Sequence, residues 1–341
     1  MTEGIRHPFD TPPPEGGAIR VADGILWLRL PLPMALDHVN IYALDDGPGW
    51  TIIDAGLSSR RSKAIWEAVL AGPLQGKPVT RVILTHHHPD HVGLVGWFQT
   101  RGAKLLATRT AWLYARMLTL DVQDRPTAES LTFYRRAGLS EADLAKRATE
   151  RPFNFADIVD PMPLGFTRLT EGMRLQAGGR DWTIRIGHGH APDHATLWSE
   201  DGIVLGGDQL LPGISANIGV YPTEPDADPL TDWLDSCRTF AVHATDDQLI
   251  LPGHKLPFTG LPFRLGQMID NHESALDRLL EHLKAPRTAA ECFPPLFKRE
   301  VGPTEFGLAL VEAIAHLNCL LQRGRVSRSL TPGGAWAWER L

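Results

Sequence analysis

Hydrophobic positions along this chain follow two rhythms. Between residues 18 and 53 they come in short runs, 25–30, 39–44 and 50–53, rich in Ile, Leu, Val and Trp and separated by Gly, Asp and Pro. Short apolar runs bounded by turn formers read as strands, here a β meander. Residues 81–84, 182–186, 203–208 and 249–251 repeat the pattern farther along. The second rhythm is helical: residues 59–70 set Ile65, Trp66 and Val69 on one face, and 229–242 and 261–284 read as longer helices packed outside the strands. Strands interleaved with helices predict an α/β protein.

The same reading divides the chain. Residues 1–17, with Pro12-Pro13-Pro14 and Gly16-Gly17, predict a flexible N-terminal arm, and 18–285 form the main domain. Within it, about 108–163 reads as a mostly helical insert, with helices at 110–120, 127–137 and 140–150. Ser140 and Asp143 suggest a variant capping box there. The insert's aromatics, Trp112, Tyr114, Phe133, Tyr134, Phe153 and Phe155, suit a small core of its own and a cap over a cleft. Residues 286–341 predict a separate unit: helices at 288–297 and 304–322, then a hairpin about Thr331-Pro332-Gly333-Gly334. That order is similar to a winged helix. Its presumed recognition helix, 305–321, has no Lys or Arg, so packing or dimerisation is expected of it rather than DNA binding.

Candidate chemistry is concentrated in Thr85-His86-His87-His88-Pro89-Asp90-His91, a loop between the strand 81–84 and the helix expected from Val92. Imidazole nitrogens and carboxylate oxygens are natural donors to zinc and similar divalent ions. His86 and His88 can face one point, and Asp90 and His91 a neighbouring one. One metal cannot easily use all four groups of so short a loop, so the spacing suggests two ions side by side. His87 is expected to point away as a packed bystander.

His86-x-His88-x-Asp90-His91 resembles the signature of the metallo-β-lactamase-fold hydrolases. Further matches follow in order, each after an apolar strand: Gly187-His188-Gly189-His190, Asp208 after 203–207, and Pro252-Gly253-His254; upstream, Asp54-Ala55-Gly56 matches an early turn. The resemblance implies a four-layer αββα metallo-β-lactamase sandwich with a helical insert and a small C-terminal winged-helix-like unit. By the same resemblance His86, His88 and His190 hold a first metal, and Asp90, His91 and His254 a second. Asp208 bridges both, and Asp54 sits behind the ligands, fixing an imidazole tautomer; a helix cap or turn is the alternative for Asp54. His188 replaces His190 if the alignment shifts by two residues. His194 is either a catalytic group near substrate, with Asp90 and Asp208, or a structural histidine holding its loop. Asp37-His38-Val39-Asn40 resembles the family's entry to its strand, which puts His38 near the site rim; an ordinary loop histidine is the alternative. Leu211 stands where the lactone-hydrolysing branch has a tyrosine, and Tyr221 lies too far along to replace it.

The implied cofactors are two divalent metal ions, zinc by default, with iron or manganese fitting the same donors. Two ions sharing a hydroxide lower the pKa of water from about 15.7 to about 7. Hydrolysis of a carboxylic ester or thioester, of acyl-CoA or acyl-carrier type, is the expected reaction; single-stranded RNA cleavage and lactone hydrolysis are the alternatives. Composition agrees: 341 residues, 43 % hydrophobic and 22 % charged, describe an ordinary globular protein. A net charge of −6 argues against a general nucleic-acid binder. Cys237, Cys292 and Cys319 have no metal-like spacing and suit a reducing compartment. The start of the chain lacks a signal-peptide core, and no apolar run approaches the roughly 18 residues of a membrane span, so a cytoplasmic enzyme is expected. A small-molecule or acyl substrate and a homodimer are the expected partners; a membrane is not, and nucleic acid is disfavoured.

Overall fold

The computed structural model describes residues 4–297 and 300–341. These form two compact units: 4–122, 154–216 and 243–264 make the first, and 123–153, 217–242 and the described residues from 265 onward make the second. The first unit carries two mixed sheets. One runs in sequence order, β1 (Ile19–Ala22), β2 (Ile25–Pro31), β3 (His38–Asp45), β4 (Trp50–Ile53), β5 (Val79–Ile83), β6 (Lys104–Ala107) and β7 (Thr167–Arg168). It is antiparallel through β4 and parallel from β4 to β7. The other has the order β12-β11-β10-β9-β8, from β8 (Arg174–Ala177), β9 (Arg180–Gly187), β10 (His194–Ser199), β11 (Ile203–Gly207) and β12 (Leu249–Pro252). Only β11 and β12 are parallel there.

Alternation along the strands builds two cores. In β3, Tyr42 and Leu44 face the second sheet, joining Trp27, Ile53, Ile83, Trp182, Ile184, Leu197 and Leu205. Val39, Ile41 and Ala43 face the other way, onto α1 (Arg60–Ala71), the short α2 (Pro89–Val92) and α3 (Val95–Gln99), and α4 (Arg109–Leu120). Side chains of period two on a sheet buried on both faces give this layered result. Trp66 of α1 is the largest anchor of the helical layer. It meets Phe98 edge to face at 4.8 Å, and its indole N–H donates to the Ala55 carbonyl at 2.9 Å. Ser59 caps α1 by accepting from Ser62 N–H.

Two expectations change. The stretch 4–9 is docked rather than flexible: Ile5 is buried, Arg6 bridges to Thr259, and the His7 ring bonds the Pro257 carbonyl. The stretch 108–163 is divided. Its first helix, α4, stays in unit one, while α5 (Ala128–Arg136) and α6 (Glu141–Thr149) fall in unit two, where the Ala137 carbonyl accepts from Ala290 N–H. Unit two also holds α7 (Pro229–Ala241), most of α8 (Leu261–His282), α9 (Phe293–Phe297), α10 (Phe306–Gln322) and the hairpin β13 (Val326–Leu330) and β14 (Trp336–Arg340). Helix α10 is buried over nearly all of Ala309 to Leu320, which explains its apolar sequence. Ser140 accepts from Asp143 N–H to cap α6, and the Asp143 carboxylate takes the Ser140 hydroxyl instead of closing the reciprocal box. A full capping box occurs at Thr288 and Glu291. No helix among the described residues is long and apolar enough to cross a membrane.

Trp66→Ala removes the anchor and leaves the Ala55 carbonyl without its donor. A loss of about 3–5 kcal/mol is expected, read as a fall in thermal midpoint; an unchanged midpoint contradicts the packing described.

Candidate metal centre

Strand direction collects the chemistry at one edge of both sheets. β4, β5, β9, β11 and β12 end there, and β3 and β10 start there. The loops after these ends deliver Asp54, the His86–His91 segment, His190, Asp208 and His254, as expected where ligands gather beyond the carboxyl ends of strands. Backbone bonds stitch the sheets together at this edge, Ala195 N–H to the Thr85 carbonyl at 2.8 Å and Asn40 N–H to Gly253 at 2.7 Å, and Gly253 N–H to Gly207 at 2.8 Å ties the end of β12 to that of β11.

Pro89 organises the histidine loop. It opens α2, and the residue before a proline is driven out of the helical region, so His88 is extended while Asp90 and His91 ride the first helical turn. His86 and His88 reach the same point and His87 leaves it. The His87 ring is buried against Tyr114, with centroids 5.1 Å apart, and lies parallel to Phe155. Burial, aided by His190, pushes His87 down to about 3, so it stays neutral.

All seven residues expected as ligands converge. His86 Nε2 and His88 Nδ1 are 3.1 Å apart, and His88 Nδ1 and His190 Nε2 3.0 Å. On the other side Asp90 Oδ2 is 3.5 Å from His91 Nε2 and 3.4 Å from His254 Nε2. Asp208 lies between the two sets: Oδ2 is 3.5 Å from His190 Nε2 and 3.2 Å from His254 Nε2, and Oδ1 is 3.4 Å from His91 Nε2. Three triads, His86-His88-His190, His86-His91-Asp208 and Asp90-His91-His254, each present donor atoms close enough for one ion.

The donors fit a pair of ions. Ligand atoms about 2.0–2.1 Å from a tetrahedral zinc stand about 3.3–3.4 Å from each other, close to the spacings here. His91 Nε2 and Asp208 Oδ1 are buried and have no hydrogen-bond partner among the described residues; such atoms call for a partner that the protein itself does not supply.

Residues behind the ligands set their tautomers. Asp54, buried and at φ 63°, accepts from Thr85 N–H, Thr85 Oγ1 and His91 Nδ1, each at 2.8 Å. The Thr85 hydroxyl, donating to Asp54, accepts in turn from His86 Nδ1 at 2.9 Å. One carboxylate thereby aims Nε2 of two ligands into the site; the helix after it is capped by Ser59, not by Asp54. His254 Nδ1 donates to the His38 carbonyl at 2.7 Å, fixing a third ring. His188 stays outside the cluster, its Nδ1 taking the Asp193 N–H.

Of the two roles expected of His194, its surroundings fit the structural one. It is fully buried, its Nε2 accepts from the Asp208 N–H at 3.1 Å, and its ring stacks on His86 at 4.6 Å. Both nitrogens face protein interior, Nδ1 without a hydrogen-bond partner among the described residues, and the ring positions Asp208 and His86. The supporting network around Asn40 escaped sequence reading. Asn40 Nδ2 donates to the carbonyls of Pro252 and Lys255, Tyr42 Oη to Pro252, and Arg29 Nη2 to Lys255. Trp27 Nε1 donates to Asn40 Oδ1. His38 belongs to this network, with Nε2 accepting from Lys255 N–H. The signal available was a polar Asn inside an otherwise apolar strand.

Electrostatics divide the site. Burial, joined by neighbouring imidazoles, drives His86 and His88 well below the usual imidazole range. At His91 burial pulls the same way, but Asp208, Asp90 and Asp54 overcome it and hold the ring protonated well above that range. Burial is opposed likewise at His254, which Asp208 and Asp90 push up to about 9. Burial works against the Asp208 carboxylate, yet His254 and His91 keep its pKa well below the usual range.

Residues 34–254 match the metallo-beta-lactamase superfamily, and 276–341 match a metallo-beta-lactamase-like C-terminal domain. The chain belongs to the metallo-beta-lactamase superfamily. A crystal structure of a beta-lactamase domain protein from Burkholderia ambifaria is similar, with TM-score 0.89 and 35 % identity, covering 99 % of this chain and 97 % of that one. A metallo-beta-lactamase family protein from Thermus thermophilus aligns at TM-score 0.77 and 28 % identity, over 94 % of this chain and 100 % of the other. A Bacillus subtilis (strain 168) protein described as a probable metallo-hydrolase, YqjP, is 27 % identical over 311 residues, 87 % of this chain and 92 % of its own. With the His/Asp cluster, these matches make the superfamily member a probable metal-dependent hydrolase.

Two outcomes are expected of the site. At pH 7 the ion-free protein carries protons on His91 and His254, and a divalent ion requires both rings neutral. Binding therefore releases about one to two protons and tightens as pH rises from about 6 toward 9. Calorimetry in buffers of different ionisation enthalpy reads this, and zero release contradicts it. Asp54→Asn is expected to lower metal affinity about 10–100-fold, measured by chelator competition; wild-type affinity would show that Asp54 does not aim His91 and His86.

Proposed function

We propose that this chain is a dinuclear metal-dependent hydrolase of carboxylic esters or thioesters. One observation carries the two-ion reading: the Asp208 carboxylate lies between the His86-His88-His190 set and the Asp90-His91-His254 set, within 3.5 Å of nitrogens from each. His86, His88 and His190 would hold one ion, Asp90, His91 and His254 the other, with Asp208 shared. Zinc suits this mixed nitrogen and oxygen set first, and iron and manganese fit the same donors. When bound, such a pair supplies Lewis acidity toward the scissile bond and an activated water without a separate base.

The chain's own residues divide the remaining work. Asp54, Thr85 and the His38 carbonyl hold the ligand rings in register, and His194 holds the backbone of Asp208. Pre-set ligands need no reorganisation when an ion or substrate arrives, which is where electrostatic catalysis gains most. Support for an acyl substrate comes from the apolar surroundings of the loop: the neutral His87 ring lies against Tyr114 and Phe155. Helix α4, which carries Tyr114, leaves Leu113, Met117 and Leu120 exposed at i, i+4 and i+7. Three buried free cysteines agree with a cytoplasmic setting.

The test is a substrate panel on metal-loaded protein: acyl-CoA-type thioesters, simple aryl esters, lactones and single-stranded RNA. Thioester or ester turnover is expected, lost on chelation and reduced at least about 100-fold in His88→Ala. Turnover of RNA alone, or none above the His88→Ala background, overturns the substrate class.

A further inference from the structure

Unit two contains a cavity of about 480 Å³ that the hydrolytic site does not use. It is walled by α5, α10, the hairpin and the 222–226 turn, all within that unit. Its volume lies in the range of small-ligand pockets, about 300–1,000 Å³. Much of the wall is apolar, with Phe133, Ile314, Trp336 and Trp338 contributing.

Three wall residues carry polar atoms that are shielded from solvent and have no hydrogen-bond partner among the described residues: Arg136 Nη1, Asn318 Oδ1 and Trp338 Nε1. Asn318 and Trp338 are almost fully buried. Asn318 is held in place from behind, its Nδ2 donating to the carbonyls of Pro225 and Ala227, which leaves Oδ1 as its spare acceptor. Atoms shielded in this way lie behind the cavity surface, so a ligand reaches them only if the wall shifts.

The charges are also unequal. Arg328 is matched by Asp226 at 3.0 Å. Arg136 is held over the Trp336 ring, 4.6 Å from its centroid, and no carboxylate pairs with it among the described residues. Glu129, the other carboxylate of the wall, is on the solvent-exposed first turn of α5. A stacked guanidinium that lines the cavity without a carboxylate partner is suited to a carboxylate or phosphate group.

We propose that this cavity binds a small organic anion with an apolar body, the acidic head on Arg136 and the body among Phe133, Ile314 and Trp338. The site is separate from the metal-ligand cluster and stands whether or not the ester or thioester reading does.

Titration calorimetry on metal-loaded, full-length protein tests it, with 2-naphthoate and 2-naphthylphosphonate as probes and neutral 2-naphthamide as the control. Saturable one-site binding of either anion is expected, with the stronger probe naming the head group and the amide at least tenfold weaker. Arg136→Gln should weaken the anions at least tenfold and leave the amide unchanged. Thr132→Trp, at an exposed position of the wall, should block all three by filling the space. Absence of heat with both anions, or binding that neither substitution changes, as for an anion held at the metal ions, overturns the proposal.

Discussion

Five imidazoles and two carboxylates, each brought within 3.5 Å of a neighbour in the set, cannot be held by their mutual attraction alone. The ring nitrogens of His86 and His88 crowd to 3.1 Å, and those of His88 and His190 to 3.0 Å. The rest of the protein supplies the restraint. Two sheets with closely packed cores fix the strand ends, and each ligand follows directly from one of those ends. A ligand set spread over 169 positions, from His86 to His254, thus depends on sheet geometry rather than on any single loop. The polarity of the strands matters as much as their packing. β5, β9, β11 and β12 all run toward the same edge, and the parallel pairings β4–β5 and β11–β12 are what bring Asp54 beside the histidine loop and Asp208 beside His254.

The site is then aimed from behind. Asp54 accepts three bonds and so cannot turn without releasing Thr85, His86 and His91 together. Its left-handed backbone, unusual for a residue with a side chain, is tolerated because those bonds hold it. The network through Asn40 does the same for the last ligand. By tying the carbonyls of Pro252 and Lys255, it forces His254 between two fixed points. The two halves also balance electrically: the carboxylates keep His91 and His254 protonated until a cation replaces those protons, while His86 and His88 are kept ready as neutral donors.

Much of this was legible in the sequence because it depends on short, local patterns. The loop His86-x-His88-x-Asp90-His91 has chemistry written into its spacing, and Pro89 announces the change from extended chain to helix. The strand runs that precede His190, Asp208 and His254 are apolar enough to read directly. What was not legible is non-local. His194 reads equally as a reactive or a structural histidine until the Asp208 N–H is seen to occupy its Nε2. The N-terminal arm looks loose until Arg6 is seen paired with Thr259 across most of the chain. The division of 108–163 follows from contacts of Ala137 with Ala290, 153 positions away, that no local periodicity encodes.

The glycines of the site show why such contacts escape a reading of side chains. Gly253 comes before a ligand, and its place is set by what it lacks. A Cβ there would run into Asp208 Oδ1 and press on His91 Cε1, two of the groups that must converge. Gly207, at φ 50°, similarly leaves room for the His194 ring. Each glycine lets backbone from one strand end approach a ligand from another, and their own carbonyl and N–H link the two ends at 2.8 Å. The absence of two methyl groups therefore sets how closely Asp208 and His254 can approach, and with it whether one carboxylate can serve both halves of the site.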